Sequence, residues 1–126
     1  MTAAEFMSRK FDSVRHDAPI EEAAAKLESS GLNPLPVCEN GRLIGFITPG
    51  ELGIASARES RSGSIRVCDV IGPDLLFCLE STELSEAVTL MKGKQLRWIP
   101  VLGPFRELVG VLNLESIPGE GVEISE

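Results

Sequence analysis

Three apolar blocks recur in this chain at one near-constant offset, and nothing else in it narrows the fold as far. Ile20, Ala23, Ala24 and Leu27 have the i, i+3, i+4, i+7 spacing of an amphipathic helix face. Leu84, Ala87, Val88 and Met91 repeat that face 64 residues later. Leu35-Pro36-Val37 lines up with Ile99-Pro100-Val101 at the same offset. Ile44-Gly45-Phe46-Ile47 lines up with Val109-Gly110-Val111-Leu112 at an offset of 65, one residue having entered the turn between. Three ordered blocks at one spacing mark an internal duplication.

Each copy reads as a β-α-β-β-α element. A short segment ends in an apolar pair, Phe6-Met7 or Val70-Ile71, and a strand follows at about 11–14 or 75–79. The first long helix opens near Asp17-Ala18-Pro19, with a capping acid, an early proline and Glu21-Glu22 at the positive end of the helix dipole. It stops at Gly31. The second long helix opens at Ser81-Thr82, both competent caps. Two strands then form a hairpin in each copy. The first turns through Glu39-Asn40-Gly41, and Asn-Gly is the strongest short hairpin signal. The second turns through Gly103-Pro104. A last helix starts after Thr48. Its counterpart after Asn113 meets Pro118-Gly119 and must be short.

The polar, small stretch Ala57–Ser64 is the natural connector. The organisation predicted is repeat 1 over 1–58, connector 59–65, repeat 2 over 66–118 and an acidic tail 119–126. The fold class is α/β (α+β). One three-stranded sheet needs a second layer, so the copies are expected to pack together about a pseudo-twofold axis.

Composition removes several functions. The net charge of −7 offers no cationic face for a phosphate backbone, so no nucleic-acid partner is expected. No apolar run nears the ~20 residues of a membrane span, and the first residues do not read as a secretory signal, which points to the cytoplasm. Cys38, Cys68 and Cys78 have neither metal nor redox spacing and read as reduced thiols. The lone His16 has no convergent Cys or Ser motif, and no Walker-type loop is present, so catalysis is not expected.

The ordered set of helix, Gly31 to Val37 (Gly-Leu-x-x-Leu-Pro-Val), hairpin, and Gly45 to Leu52 (Gly-Phe-Ile-Thr-Pro-Gly-Glu-Leu) resembles a cystathionine-β-synthase-type (CBS) domain. Its double occurrence resembles a CBS pair, or Bateman module, over roughly residues 3–117. The resemblance implies regulation: an adenosine-type ligand (AMP, ADP, ATP or S-adenosylmethionine class) held in clefts between the repeats. No cofactor is required. It also implies a homodimer, with an effector enzyme or transporter acting in trans.

The resemblance further implies site residues. The family places a hydroxyl and a carboxylate after the last strand to hold the ligand ribose, and a carboxylate suits two neighbouring hydroxyls as acceptor. In copy one these are Thr48 and Glu51, one methylene longer than the family aspartate. The same residues also form a capping box with Pro49 at the first helical position, so cap alone and cap plus ligand both stand. In copy two the matching positions are Asn113 and Ser116, with Glu115 one place early. Basic residues before the Leu-Pro-Val strand meet phosphates in the family. Here those positions are Arg97 and Trp98 in copy two, and Asn33 with Pro34 in copy one. The ribose signature thus sits in one copy and the phosphate signature in the other, which favours an uncharged or cationic adenosyl ligand over a polyphosphate. The competing expectation is a structural oligomerisation module whose pockets no longer bind.

Overall fold

The computed structural model describes residues 1–32, 34–54, 65–71 and 75–117. Residues 59–64 of the predicted connector 59–65, the acidic tail from 119 and the candidate Asn33 lie outside the described residues. Helix α1 is Ala3–Phe6, followed by β1 (Val14–Arg15), α2 (Ile20–Ser30), β2 (Leu35–Glu39), β3 (Arg42–Ile47) and a helix α3 described over residues 49–54. A 3-10 turn at Val67–Asp69 leads to β4 (Cys78–Leu79), α4 (Leu84–Gly93), β5 (Trp98–Leu102) and β6 (Leu108–Asn113), and a 3-10 turn at Leu114–Ser116 follows.

The strands form two three-stranded mixed sheets of the same order, β1-β2-β3 and β4-β5-β6. In each, a short parallel strand lies beside the first arm of a hairpin: Val14 faces Val37, and Cys78 faces Val101. Both hairpins slip register by one residue at equivalent places, Val37/Cys38 and Val101/Leu102. Asn40 and Gly41 both take positive φ (53° and 81°), which a tight hairpin of this type demands at its two central residues. The α/β duplication is therefore present down to its irregularities. Gly31 ends α2 with φ 74°, the left-handed stop that its sequence position announces.

The chain folds as two units, one of residues 1–11 with 76 onward, the other of residues 12–75. The first eleven residues thus fold with the second copy, and the segment from Ile65 folds with the first. The docking is the same in both. Ala3 N donates to Thr82 O and Val67 N to Ala18 O, each at 2.9 Å. Ala4 N donates to Glu80 O (3.1 Å) and Cys68 N to His16 O (2.8 Å). Each segment is braced by a carboxylate three residues on: Thr2 N donates to Glu5 Oε2, and Arg66 N to Asp69 Oδ2. Ala3 and Val67 are fully buried, Ala3 among Leu84, Ala87 and Ile99, Val67 among Val14, Leu35 and Ile47.

This docking revises the expected helix starts. Helix α2 begins at Ile20 behind Pro19, and α4 at Leu84 behind Glu83, neither with a side-chain cap. Asp17 lies 3.9 Å from Arg15 instead, and the Thr82 hydroxyl accepts from Leu79 N. The leading N–H groups go to the docked segments: Ile20 N donates to Ile65 O at 3.3 Å and Leu84 N to Met1 O at 2.8 Å. A backbone carbonyl from a remote segment does what a capping side chain does elsewhere.

Candidate functional site

Two junctions, each where the last strand of a copy ends, hold the candidate residues. In copy one, β3 delivers Thr48, and the chain turns at once into α3. Thr48 N donates to Glu51 Oε1 at 2.9 Å, and Glu51 N donates back to Thr48 Oγ1 at 3.2 Å. The Thr48 hydroxyl itself donates to Glu51 Oε1, also at 3.2 Å. Leu52 N then donates to Thr48 O at 3.0 Å, closing the first helical turn. The capping box read from the sequence is formed in full, and both side chains are half-buried. Among the described residues both hydrogen bonds to the carboxylate land on Oε1.

Copy two closes differently. Asn113 ends β6 opposite Trp98 at the start of β5, but its side chain makes no cap bond. The chain enters the 3-10 turn, with Ile117 N donating to Leu114 O at 3.2 Å. Leu114 N donates to Arg97 O at 2.8 Å, which locks the two flanking segments side by side. The Arg97 guanidinium then donates to Glu115 Oε1 at 2.8 Å. The ion pair is exposed, at 75% and 67% for the two side chains, so its net worth is small. Ser116 is exposed, and Trp98 is half-buried. A groove of about 410 Å³ runs between the last turn of α4 and the residues after it (Met91, Lys92, Gln95, Leu96) and this junction (Arg97, Leu114, Glu115).

The structure therefore brings Thr48 to Glu51, Trp98 opposite Asn113, and Arg97 to Glu115. Ser116 joins none of these contacts. The residue that the family pattern does not supply is Glu115, and its signal in the sequence is a carboxylate one place before the expected position.

Gly110 lets another segment close in. A Cβ there would stand 2.7 Å from Met7 Sδ and 2.8 Å from the Ser8 carbonyl oxygen. Ser8 N donates to Val111 O (2.7 Å) and Val111 N to Ser8 O (2.9 Å), so the docked first segment also extends the β6 edge. A glycine inside the strand is what admits this close backbone approach.

The thiols of Cys38 and Cys78 are buried and Cys68 is exposed; all three are free. Burial pushes the Cys78 thiol up to about 11. Burial raises Cys38 too, less a lowering contribution from a hydrogen bond with Ser13. Neutral, poorly nucleophilic thiols result. His16 Nε2 lies 3.7 Å from Glu39 Oε2. Among the described residues no group of three His, Cys, Asp or Glu side chains is placed to hold a metal ion. No helix among them is long and apolar enough to cross a membrane.

The CBS domain model matches residues 3–52 and 67–117, and the chain belongs to that family as a pair of CBS domains. Over 111 residues it is 27% identical to the CBS domain-containing protein YhcV of Bacillus subtilis, covering 88% of this chain and 79% of that protein. It is 24% identical over 101 residues to the inosine-5'-monophosphate dehydrogenase of Thermoplasma acidophilum, of whose length it spans 20%. Among solved structures, CBSX2 in complex with AMP superposes with a TM-score of 0.76 at 22% identity, over 99% of this chain and 98% of that one. The CBS domain pair of protein MJ0100 in complex with 5'-methylthioadenosine and S-adenosyl-L-methionine superposes with a TM-score of 0.70 at 20% identity, over 100% and 98%.

Proposed function

We propose that this chain is a regulatory module that senses an adenosine-type ligand, of the AMP, ADP, ATP or S-adenosylmethionine class, and holds the ligand ribose at Thr48 and Glu51. The observation that carries the reading is the one-sided use of Glu51. The cap engages Oε1, which leaves the other carboxylate oxygen to accept from ribose hydroxyls. Capping and binding are then compatible duties of one side chain. The complexes of CBSX2 with AMP and of MJ0100 with adenosyl ligands support that ligand class. The module works as a homodimer in the cytoplasm and passes its state to an effector enzyme or transporter in trans. It can bias that effector only by binding two states with different affinity.

The test is a thermal melt of the chain with AMP, ATP, S-adenosylmethionine and NADH in turn. Ligand at about 100 times its dissociation constant adds about 2.7 kcal/mol, a shift of several degrees. Glu51→Gln keeps the box, since glutamine serves at that position, and loses the carboxylate. It should abolish the shift while leaving the unliganded melt nearly unchanged.

A second reading, a structural oligomerisation module without ligand, is favoured by copy two, where Asn113 caps nothing and Ser116 stands exposed. An unresponsive melt with every ligand, together with a solution mass of a dimer, supports it.

A further inference from the structure

We infer that Glu115 is a specificity residue that turns phosphorylated ligands away from Arg97, so that the second-copy groove suits an adenosyl ligand without phosphate; this rests on the adenosine reading above. Arg97 shares the groove with Lys92, and its guanidinium donates to the Glu115 carboxylate at 2.8 Å. The pairing is built into the backbone. Trp98 faces Asn113 across the hairpin, and the Leu114 N–H to Arg97 carbonyl bond fixes the residues on either side. Arg97 and Glu115 thereby line the same groove as Lys92 and the apolar Met91, Leu96 and Leu114.

A phosphate approaching this guanidinium meets a carboxylate already on it. It must displace Glu115, losing the ion pair, or sit beside it and accept like-charge repulsion. Both costs grow with ligand charge. A neutral nucleoside or thioether meets neither, because it has no charge to set against Glu115 and the apolar lining takes its apolar part. The expected order of affinity is therefore adenosine or methylthioadenosine, then AMP, then ATP.

The test uses two ligands that differ only in phosphate. Adenosine and AMP are titrated calorimetrically into the full chain and into Glu115→Gln, an exposed site where the exchange leaves the fold intact. Wild type should bind adenosine at least as tightly as AMP. Glu115→Gln should tighten AMP about three- to fivefold, the scale of an exposed charge pair, with adenosine within about twofold. The AMP gain should vanish when Arg97→Gln is added. If both ligands bind and the AMP-to-adenosine ratio is the same in wild type and Glu115→Gln, the specificity role is overturned while the adenosine reading survives. If neither ligand binds any of the three proteins, the adenosine reading itself falls and this inference with it.

Discussion

Four residues at the end of the last strand lead out of each copy, and the two quartets behave differently. Thr48-Pro49-Gly50-Glu51 folds its carboxylate back onto its own backbone and starts a helix. Asn113-Leu114-Glu115-Ser116 sends its carboxylate across to a cation just ahead of the neighbouring strand and makes only a 3-10 turn. One carboxylate serves a local cap and the other a long-range ion pair, and a shift of one position separates them. The sheets upstream keep the same strand order and the same register slip. Duplicated apolar periodicity thus preserves the scaffold while the polar ends of its strands diverge.

The largest contrast is expected between two glycines. Gly110→Ala pushes a methyl group against the Ser8 carbonyl, which the bridge to Val111 holds in place, so the cost is about 3 kcal/mol by denaturant unfolding. Gly50→Ala, whose nearest neighbour is Thr48 Oγ1 at 3.8 Å, should cost nothing or stabilise by about 0.5 kcal/mol. Equal effects would mean that residues 7–8 do not rest on β6.

The next contrast is one of pH. Cys78 occupies the position that Val14 holds in copy one. Its folded value is raised from 9.0 to about 11, so the unfolded chain ionises first. The stability this thiol contributes is complete below about pH 9 and is lost as pH rises through about 11. Between about pH 8 and pH 11 wild type should lose about 2 kcal/mol more than Cys78→Val. Parallel urea melts at the two pH values measure this, and identical slopes would remove Cys78 as the source.

Smaller differences lie at the quartets themselves. Thr48→Ala breaks a working cap and should cost about 1 kcal/mol, whereas Asn113→Ala removes no cap bond and should cost less than about 0.5 kcal/mol. Arg97→Gln should be the least destabilising, within about 0.5 kcal/mol, because its ion pair is exposed. A larger loss at Arg97 than at Thr48 would reverse the ranking of cap over ion pair.

The helix faces, both hairpins and the Gly31 stop are legible because each rests on residues close in sequence. The Thr48–Glu51 box is legible for the same reason. The starts of α2 and α4 are not. Asp17 and Ser81-Thr82 look like caps, but the N–H groups at Ile20 and Leu84 go to the carbonyls of Ile65 and Met1. Every residue carries a carbonyl, so such a partner leaves no mark in composition. Counting along the family pattern matches Ser116 and assumes an α-helix after Asn113. A 3-10 turn advances by three residues rather than 3.6, so counting does not foresee that Glu115 meets Arg97.

The crossed docking of the leading segments has a practical consequence. Scission of the chain near residue 60 would not liberate two self-sufficient halves. The front fragment would carry Met1 to Ser8, which belong on its sibling, and would lack Ile65 to Asp69, which seal its own α2. The rear fragment would be bereft in the mirror sense. Each piece should be poorly folded when expressed singly and recover order when the two are mixed.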